Sequence, residues 1–218
     1  QIKDILKLTP NLEEFSIQDD TFDVRERVEG EDANQILIVE ACDDLNLQKL
    51  KKLHLGYSSI PSEKIFPLFL NCEELKTLEI SITEELARLH LDNFVVKQKY
   101  LENLEFSQPY QHTITREISK VFTESFLRDS KLQLKTLKMQ WILKYDRNFS
   151  DFLKSQSHFI EELELVDIDM DFYYLRVICN NFHRLRKLRV WFNPYFNEAH
   201  HEEIKNWEMP NVKEIDFD

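Results

Sequence analysis

The sequence predicts a curved α/β solenoid of about eight repeats, with parallel strands lining the inner face and helices outside. Three observations predict it. An apolar triplet at i, i+3 and i+5 recurs at Leu12/Phe15/Ile17, Leu50/Leu53/Leu55, Leu75/Leu78/Ile80, Leu101/Leu104/Phe106, Leu134/Leu137/Met139, Ile160/Leu163/Leu165, Leu185/Leu188/Val190 and Val212/Ile215/Phe217. The steps between first members are 38, 25, 26, 33, 26, 25 and 27 residues, regular enough to mark an internal repeat. The segments between triplets carry apolar residues at helical spacing, whereas the triplet itself alternates apolar and polar like a strand with one buried face. Such a step is too short for the doubly wound α/β unit, which takes about 30 residues or more. The repeats therefore stack in line, and because helices are wider than strands, the stack bends strongly. They cover 1–218 as one domain, with insertions near 18–33 and 108–130.

In chain order, Ile2 to Leu8 reads as a short helix with Ile2, Ile5 and Leu6 on one face, broken by Pro10 and Asn11 before the first strand. Gln18 to Asp32 is acidic and nearly free of apolar residues, a surface loop; Asn34 to Leu45 then reads as a helix. Ile65, Phe66, Leu68, Phe69 and Leu70 form the next helical segment, its regular part placed late because Pro67 suits a first turn. Glu84 to Phe94, Thr115 to Arg128, Asn148 to Ser155, Phe172 to Phe182 and Asn197 to Trp207 complete the set, with Ser150 and Asn197 as candidate N-caps.

The unit is clearest at Asn71-Cys72-Glu73-Glu74-Leu75-Lys76-Thr77-Leu78-Glu79-Ile80. This resembles the leucine-rich repeat, and in particular the "Cys, two residues, Leu, two residues, Leu" return from helix to strand of the F-box/leucine-rich-repeat (ribonuclease-inhibitor-like) family. Phe182-His183-Arg184-Leu185-Arg186-Lys187-Leu188 and Thr9-Pro10-Asn11-Leu12-Glu13-Glu14-Phe15 are similar, with the Cys lost. The common pattern's Asn or Cys after the strand is replaced by Ser58, Thr83, Pro109, Ile142 and Asp167, so those turns must satisfy their backbone groups otherwise. In that family the repeats are the substrate-binding half of a ubiquitin-ligase receptor whose F-box binds the Skp adaptor. The resemblance implies a non-catalytic protein-binding domain in the cytoplasm or nucleus. Its Skp adaptor and cullin would engage a region outside this chain, since no F-box is visible here. A free-standing intracellular scaffold or inhibitor with the same surface is the alternative.

Composition fits this expectation. A formal charge of -12, from 28 basic and 40 acidic residues, argues against a nucleic-acid partner, which needs a clustered basic face. Cys42, Cys72 and Cys179 are odd in number and far apart, with no metal-ligand spacing and no Cys-rich cap, which favours a reducing compartment and small buried residues. No stretch is long enough to span a membrane. With Gly30 and Gly56 the only glycines, no Gly-rich phosphate loop is possible. His200-His201-Glu202-Glu203 puts adjacent histidines about 100° apart on a helix, which reads as a solvated face rather than a metal pair. Neither catalysis nor a cofactor is expected.

Strand residues between the apolar anchors should face the inner surface. The central column is then Ser16, His54, Glu79, Glu105, Lys138, Glu164, Arg189 and Asp216. Glu14, Lys52, Thr77, Asn103, Thr136, Glu162, Lys187 and Glu214 lie on one side of it. Gln18, Gly56, Ser81, Ser107, Gln140, Val166, Trp191 and Asp218 lie on the other. Two regions are candidate protein-binding sites. Glu79, Glu105 and Glu164 form an acidic strip, with Lys138 among them, suited to a basic peptide. Lys187, Arg189 and Trp191 form an aromatic-basic end of the kind interface hot spots favour, with Tyr110 and Trp141 on the same rim. Trp191 and Arg189 are expected to be replaceable without loss of stability.

Overall fold

The computed structural model describes residues 2–17, 47–56, 65–69, 71–81, 98, 100–107, 132–140, 147–166, 176, 178, 180–191 and 211–216. The expected insertions, the acidic loop, Tyr110, Trp141 and the helices at 34–45, 84–94, 115–128 and 197–207 lie outside them, as do Ser58, Thr83, Pro109, Ile142 and Asp167.

Among the described residues are eight strands: β1 (Glu14–Ile17), β2 (Lys52–Leu55), β3 (Thr77–Ser81), β4 (Asn103–Ser107), β5 (Thr136–Gln140), β6 (Glu162–Val166), β7 (Lys187–Trp191) and β8 (Glu214–Asp216). They form one parallel sheet in the order β1-β2-β3-β4-β5-β6-β7-β8. Each strand's spatial neighbour is its neighbour in the repeat, the arrangement of a solenoid-like α/β stack. Two of the expected columns are reproduced in full by the pairing, with Ser16 meeting His54, His54 meeting Glu79, and so on to Arg189 and Asp216. In the third, Ser81 meets Ser107, Gln140 meets Val166 and Val166 meets Trp191, while Gln18 and Asp218 lie outside the described residues.

The triplets become three buried columns on one side of the sheet. Leu50, Leu75, Leu101, Leu134, Ile160 and Leu185 enter the strands; Leu53, Leu78, Leu104, Leu137, Leu163 and Leu188 follow; Leu55, Ile80, Phe106, Met139, Leu165 and Val190 complete them. All belong to a single apolar cluster, whose end members Leu12, Phe15, Ile17 and Val212 are only partly covered.

The register is held by one backbone device that recurs at seven junctions. The carbonyl just before each strand (Glu13, Lys51, Lys76, Glu102, Lys135, Glu161 and Arg186) accepts two consecutive amides of the next repeat at 2.7 to 3.2 Å. A carbonyl oxygen has two lone pairs, and here both are used. The return turns close locally: Leu12, Leu50 and Leu185 donate their N–H to the carbonyls of Thr9, Leu47 and Phe182, three residues back.

α1 (Ile2–Leu8) covers the first repeat. Leu6 is buried and Ile2 packs on the core, but Ile5 is exposed, contrary to the face expected for it. Seven residues make about two turns, and of them only Ile2 and Leu6 join the core. The helix ends as Thr9 Oγ1 donates to the Ile5 carbonyl at 3.1 Å. Ile65 to Phe69 is a 3-10 turn over Phe66–Phe69, not a regular late helix. Ile65, Phe66, Leu68 and Phe69 are all buried, and Pro67 sits second in the turn, where no intrahelical N–H is needed. α2 (Arg147–Gln156) lies between β5 and β6. Phe149, Phe152 and Leu153, at i, i+3 and i+4, join the apolar cluster. The helix starts at Arg147, so Ser150 is a buried first-turn residue rather than its N-cap.

Three residues before five of the entering anchors lies another buried position, held by Leu47, Cys72, Gln98, Ser157 and Phe182, whereas Thr9 before Leu12 is half-buried. Where it is polar, it bonds between repeats or within the turn: Gln98 Nε2 donates to the Cys72 carbonyl at 3.2 Å, and Ser157 Oγ to the Lys154 carbonyl at 2.7 Å. Nearby, buried Gln156 accepts the Leu134 N–H at 3.1 Å. Burial pushes the Cys72 thiol up to about 12, so at neutral pH it is a protonated, unreactive small hydrophobe.

Three outcomes follow. Leu78→Ala, at a fully buried site in a central strand, should cost about 3 kcal/mol in urea unfolding. Leu8→Ala, at a residue 82% exposed, should stay within about 0.5 kcal/mol of wild type. In native protein at pH 8, iodoacetamide should spare Cys72, as read by peptide mass mapping, and label it fully once the chain is unfolded.

Candidate functional site

The strands' second face is polar. Parallel sheets are generally covered on both faces, yet in β5 and β7 the residues alternate between buried anchors and more exposed side chains. β3, β4 and β6 do so up to their last residues, Ser81, Ser107 and Val166, which are buried although they were expected on the inner surface. α2 packs on the apolar side with the core, leaving the other side to the three polar columns.

One-to-one register brings charged residues of successive repeats side by side, and the sheet face is a set of pairs between register mates. Glu14 binds Lys52 at 3.1 Å, Glu105 binds Lys138 at 3.1 Å, and Lys187 binds Glu214 at 2.8 Å. Arg189 Nη1 donates to Glu164 Oε2 at 3.4 Å. His54 Nδ1 lies 2.9 Å from Glu79, while its Nε2 is 3.8 Å from Glu14. Beside the strands, the residues supplying the junction carbonyls repeat the pattern: Glu13 with Lys51 at 3.0 Å, Glu102 with Lys135 at 2.9 Å, and Glu161 with Arg186 at 3.4 Å.

This changes the reading of the acidic strip. Glu79, Glu105 and Glu164 do share one column, but each carboxylate is engaged by a cationic or imidazole neighbour, so the strip is not an open acidic surface. Glu79 and Glu105 are register mates of like charge, and such pairs repel. They turn apart, one to His54 and the other to Lys138. Beside them Asn103 Nδ2 donates to Thr77 Oγ1 at 3.2 Å, and the buried Ser81 and Ser107 hydroxyls lie 3.1 Å apart.

Lys138 is the hub. It stands between Glu105 and Glu164 in register. Burial works against its charge, but Glu105, through attraction and a hydrogen bond, together with Glu164 and Glu79, more than offsets this and holds the ammonium above the ordinary lysine value of 10.5.

Lys138, Glu162, Leu163, Glu164, Lys187 and Arg189 line a depression of about 120 Å³ across β5, β6 and β7. Trp191 is 39% exposed, as its parity with Arg189 predicts, and is the register mate of Val166. The basic end and the strip are thus neighbours on one face. Arg189 departs from expectation: it covers Glu164, so its removal strands a carboxylate only 15% exposed. Sequence reasoning placed His54 in the right column but gave it no role, although its position opposite Glu79 was the available signal. Nothing in the sequence pointed to Gln98 or Gln156 as buried links. His200, His201 and Glu203 lie outside the described residues; among those described, no three His, Cys, Asp or Glu residues gather to hold a metal ion. Nor is any described helix long and apolar enough to cross a membrane.

Compared with known proteins, the chain matches no family model, no curated protein and no solved structure.

Lys138→Met should lower stability by about 1 kcal/mol at pH 7, the upper end for a partly screened pair, because it leaves Glu105 without its cation beside its like-charged register mate Glu79. A raised lysine stabilises the fold below its unfolded value and loses that contribution as pH rises through its folded value. The gap between wild type and variant should therefore close above pH 10.5 in urea titrations, and 1 M salt should narrow it at pH 7.

Proposed function

We propose that this chain is a non-catalytic protein-binding domain, a leucine-rich-repeat horseshoe whose inner, strand-lined face grips a partner. One observation carries the reading: an eight-stranded parallel sheet buries one face in a continuous apolar cluster and leaves the other polar and partly exposed. Repeat stacks use such extended faces to bind. Trp191 with Arg189 and Lys187 supplies the aromatic and basic anchors that interfaces favour. Glu79, Glu105, Lys138 and Glu164 extend the contact along the central column.

The partner, in this proposal, is a substrate presented to an F-box type ubiquitin ligase in the cytoplasm or nucleus, with Skp adaptor and cullin held through a region outside this chain. What supports this finer step is the likeness of Asn71 to Ile80 to that family's return from helix to strand.

A photo-crosslinking amino acid placed at Trp191 of the full-length protein in its own cells tests the reading. It should give discrete protein adducts, identified by mass spectrometry, while the same group at Asp151, exposed on α2 across the sheet, should give none of them. Skp adaptor and cullin should co-purify with the adducts. Adducts without them would leave a scaffold or inhibitor. Identical adducts at both positions would contradict binding by the strand face.

A further inference from the structure

We propose that the depression across β5, β6 and β7 receives an acidic side chain of the partner, with Trp191 covering an apolar residue beside it, so that the bound segment is an acidic, not a basic, peptide. This rests on the protein-binding reading of the sheet's open face and specifies which chemistry it selects.

The sign that a paired surface presents is set by the more accessible member of each pair. In the two central pairs at this end, the cation is the outer one: Lys138 is 37% exposed against 26% for Glu105, and Arg189 31% against 15% for Glu164. Just outside the strand, Arg186 is 65% exposed against 32% for Glu161. In these three pairs the carboxylates lie beneath and orient the cations; Lys187 is the exception, 33% exposed against 55% for its partner Glu214. At β2–β3 the order in the central column is reversed, Glu79 being 31% exposed against 25% for His54, while in the neighbouring Glu14–Lys52 pair the two are equally exposed, at 54% and 53%. The central column is therefore polarised, cationic outward at β5–β7 and anionic outward at β2–β3.

The depression collects three cations, Lys138, Lys187 and Arg189, against Glu162 and Glu164. An ammonium has three donors and a guanidinium five, so a cation bound to one carboxylate can still donate to a second. The depression, of about 120 Å³, has room for one short carboxylate side chain. Trp191 follows Arg189 by two residues on the same strand and so lies on the same face. The chain's charge of -12 repels acidic molecules at long range, so an acidic segment is held here only by direct contact with these groups.

The test is an NMR titration of the isotopically labelled full chain with three blocked hexapeptides: one alternating Glu with Phe, its Gln isostere and its Lys analogue. The acidic peptide should shift the Lys138, Lys187 and Arg189 amides and the Trp191 indole N–H, and the Gln isostere should not. Lys187→Gln, which leaves only the exposed Glu214 unpaired, should weaken binding about five-fold without changing the melting temperature. The inference is overturned if the Gln isostere binds these strands equally, or if the Lys analogue binds them more tightly; either result keeps a binding face but removes its acidic preference. If none of the three peptides shifts a strand residue, both this inference and the binding face are contradicted.

Discussion

One backbone carbonyl per repeat, shared by two amides of the next, sets the register on which everything else in this chain depends. It recurs at all seven described junctions, immediately before the strand, where the entering leucine or isoleucine turns into the core. Side chains alternate across a strand, so a slip of one residue would exchange the buried anchors for glutamate and lysine. Register and core therefore enforce each other: the carbonyl aligns the strands, and the cost of exposing three apolar columns forbids any other alignment.

That alignment has an electrostatic consequence. In a doubly wound α/β fold both faces of a parallel sheet are covered, and charged residues within strands would be buried at high cost. Here one face is open, and charges at equivalent positions of neighbouring repeats meet side by side. Sequence positions 25 or more apart become contact pairs, as with His54 and Glu79, or Glu164 and Arg189. A chain with a large net negative charge can thus show cations outward in one region, because its carboxylates there are the partners underneath.

The architecture was legible in the sequence because it rests on two periodicities that need no tertiary information, the apolar triplet and its step. Strand parity likewise placed two complete columns and the exposed Trp191, although Ser81, Ser107 and Val166 of the third column are buried. Three things were not legible, each for a physical reason. Which glutamate is free depends on cross-strand neighbours, and composition along one strand cannot show that Glu79, Glu105 and Glu164 each have a partner. Helix limits depend on which turn reaches the core: Ser150 looks like a cap, but the stripe of Phe149, Phe152 and Leu153 draws α2 back to Arg147. Finally, Gln98 and Gln156 look like surface residues, and only the stacking of repeats supplies the carbonyl and amide that let them be buried.

The in-register parallel stack is tested most directly by paired cysteines on β3 and β4. Thr77 and Asn103 are register mates, so Thr77→Cys with Asn103→Cys should oxidise to a disulfide in native protein, located by peptide mass mapping. Thr77→Cys with Ser107→Cys, about 13 Å further along the strand, should not. Ready crosslinking of the second pair, or failure of the first in folded protein, would contradict the register and with it the columns of charge that make up the face.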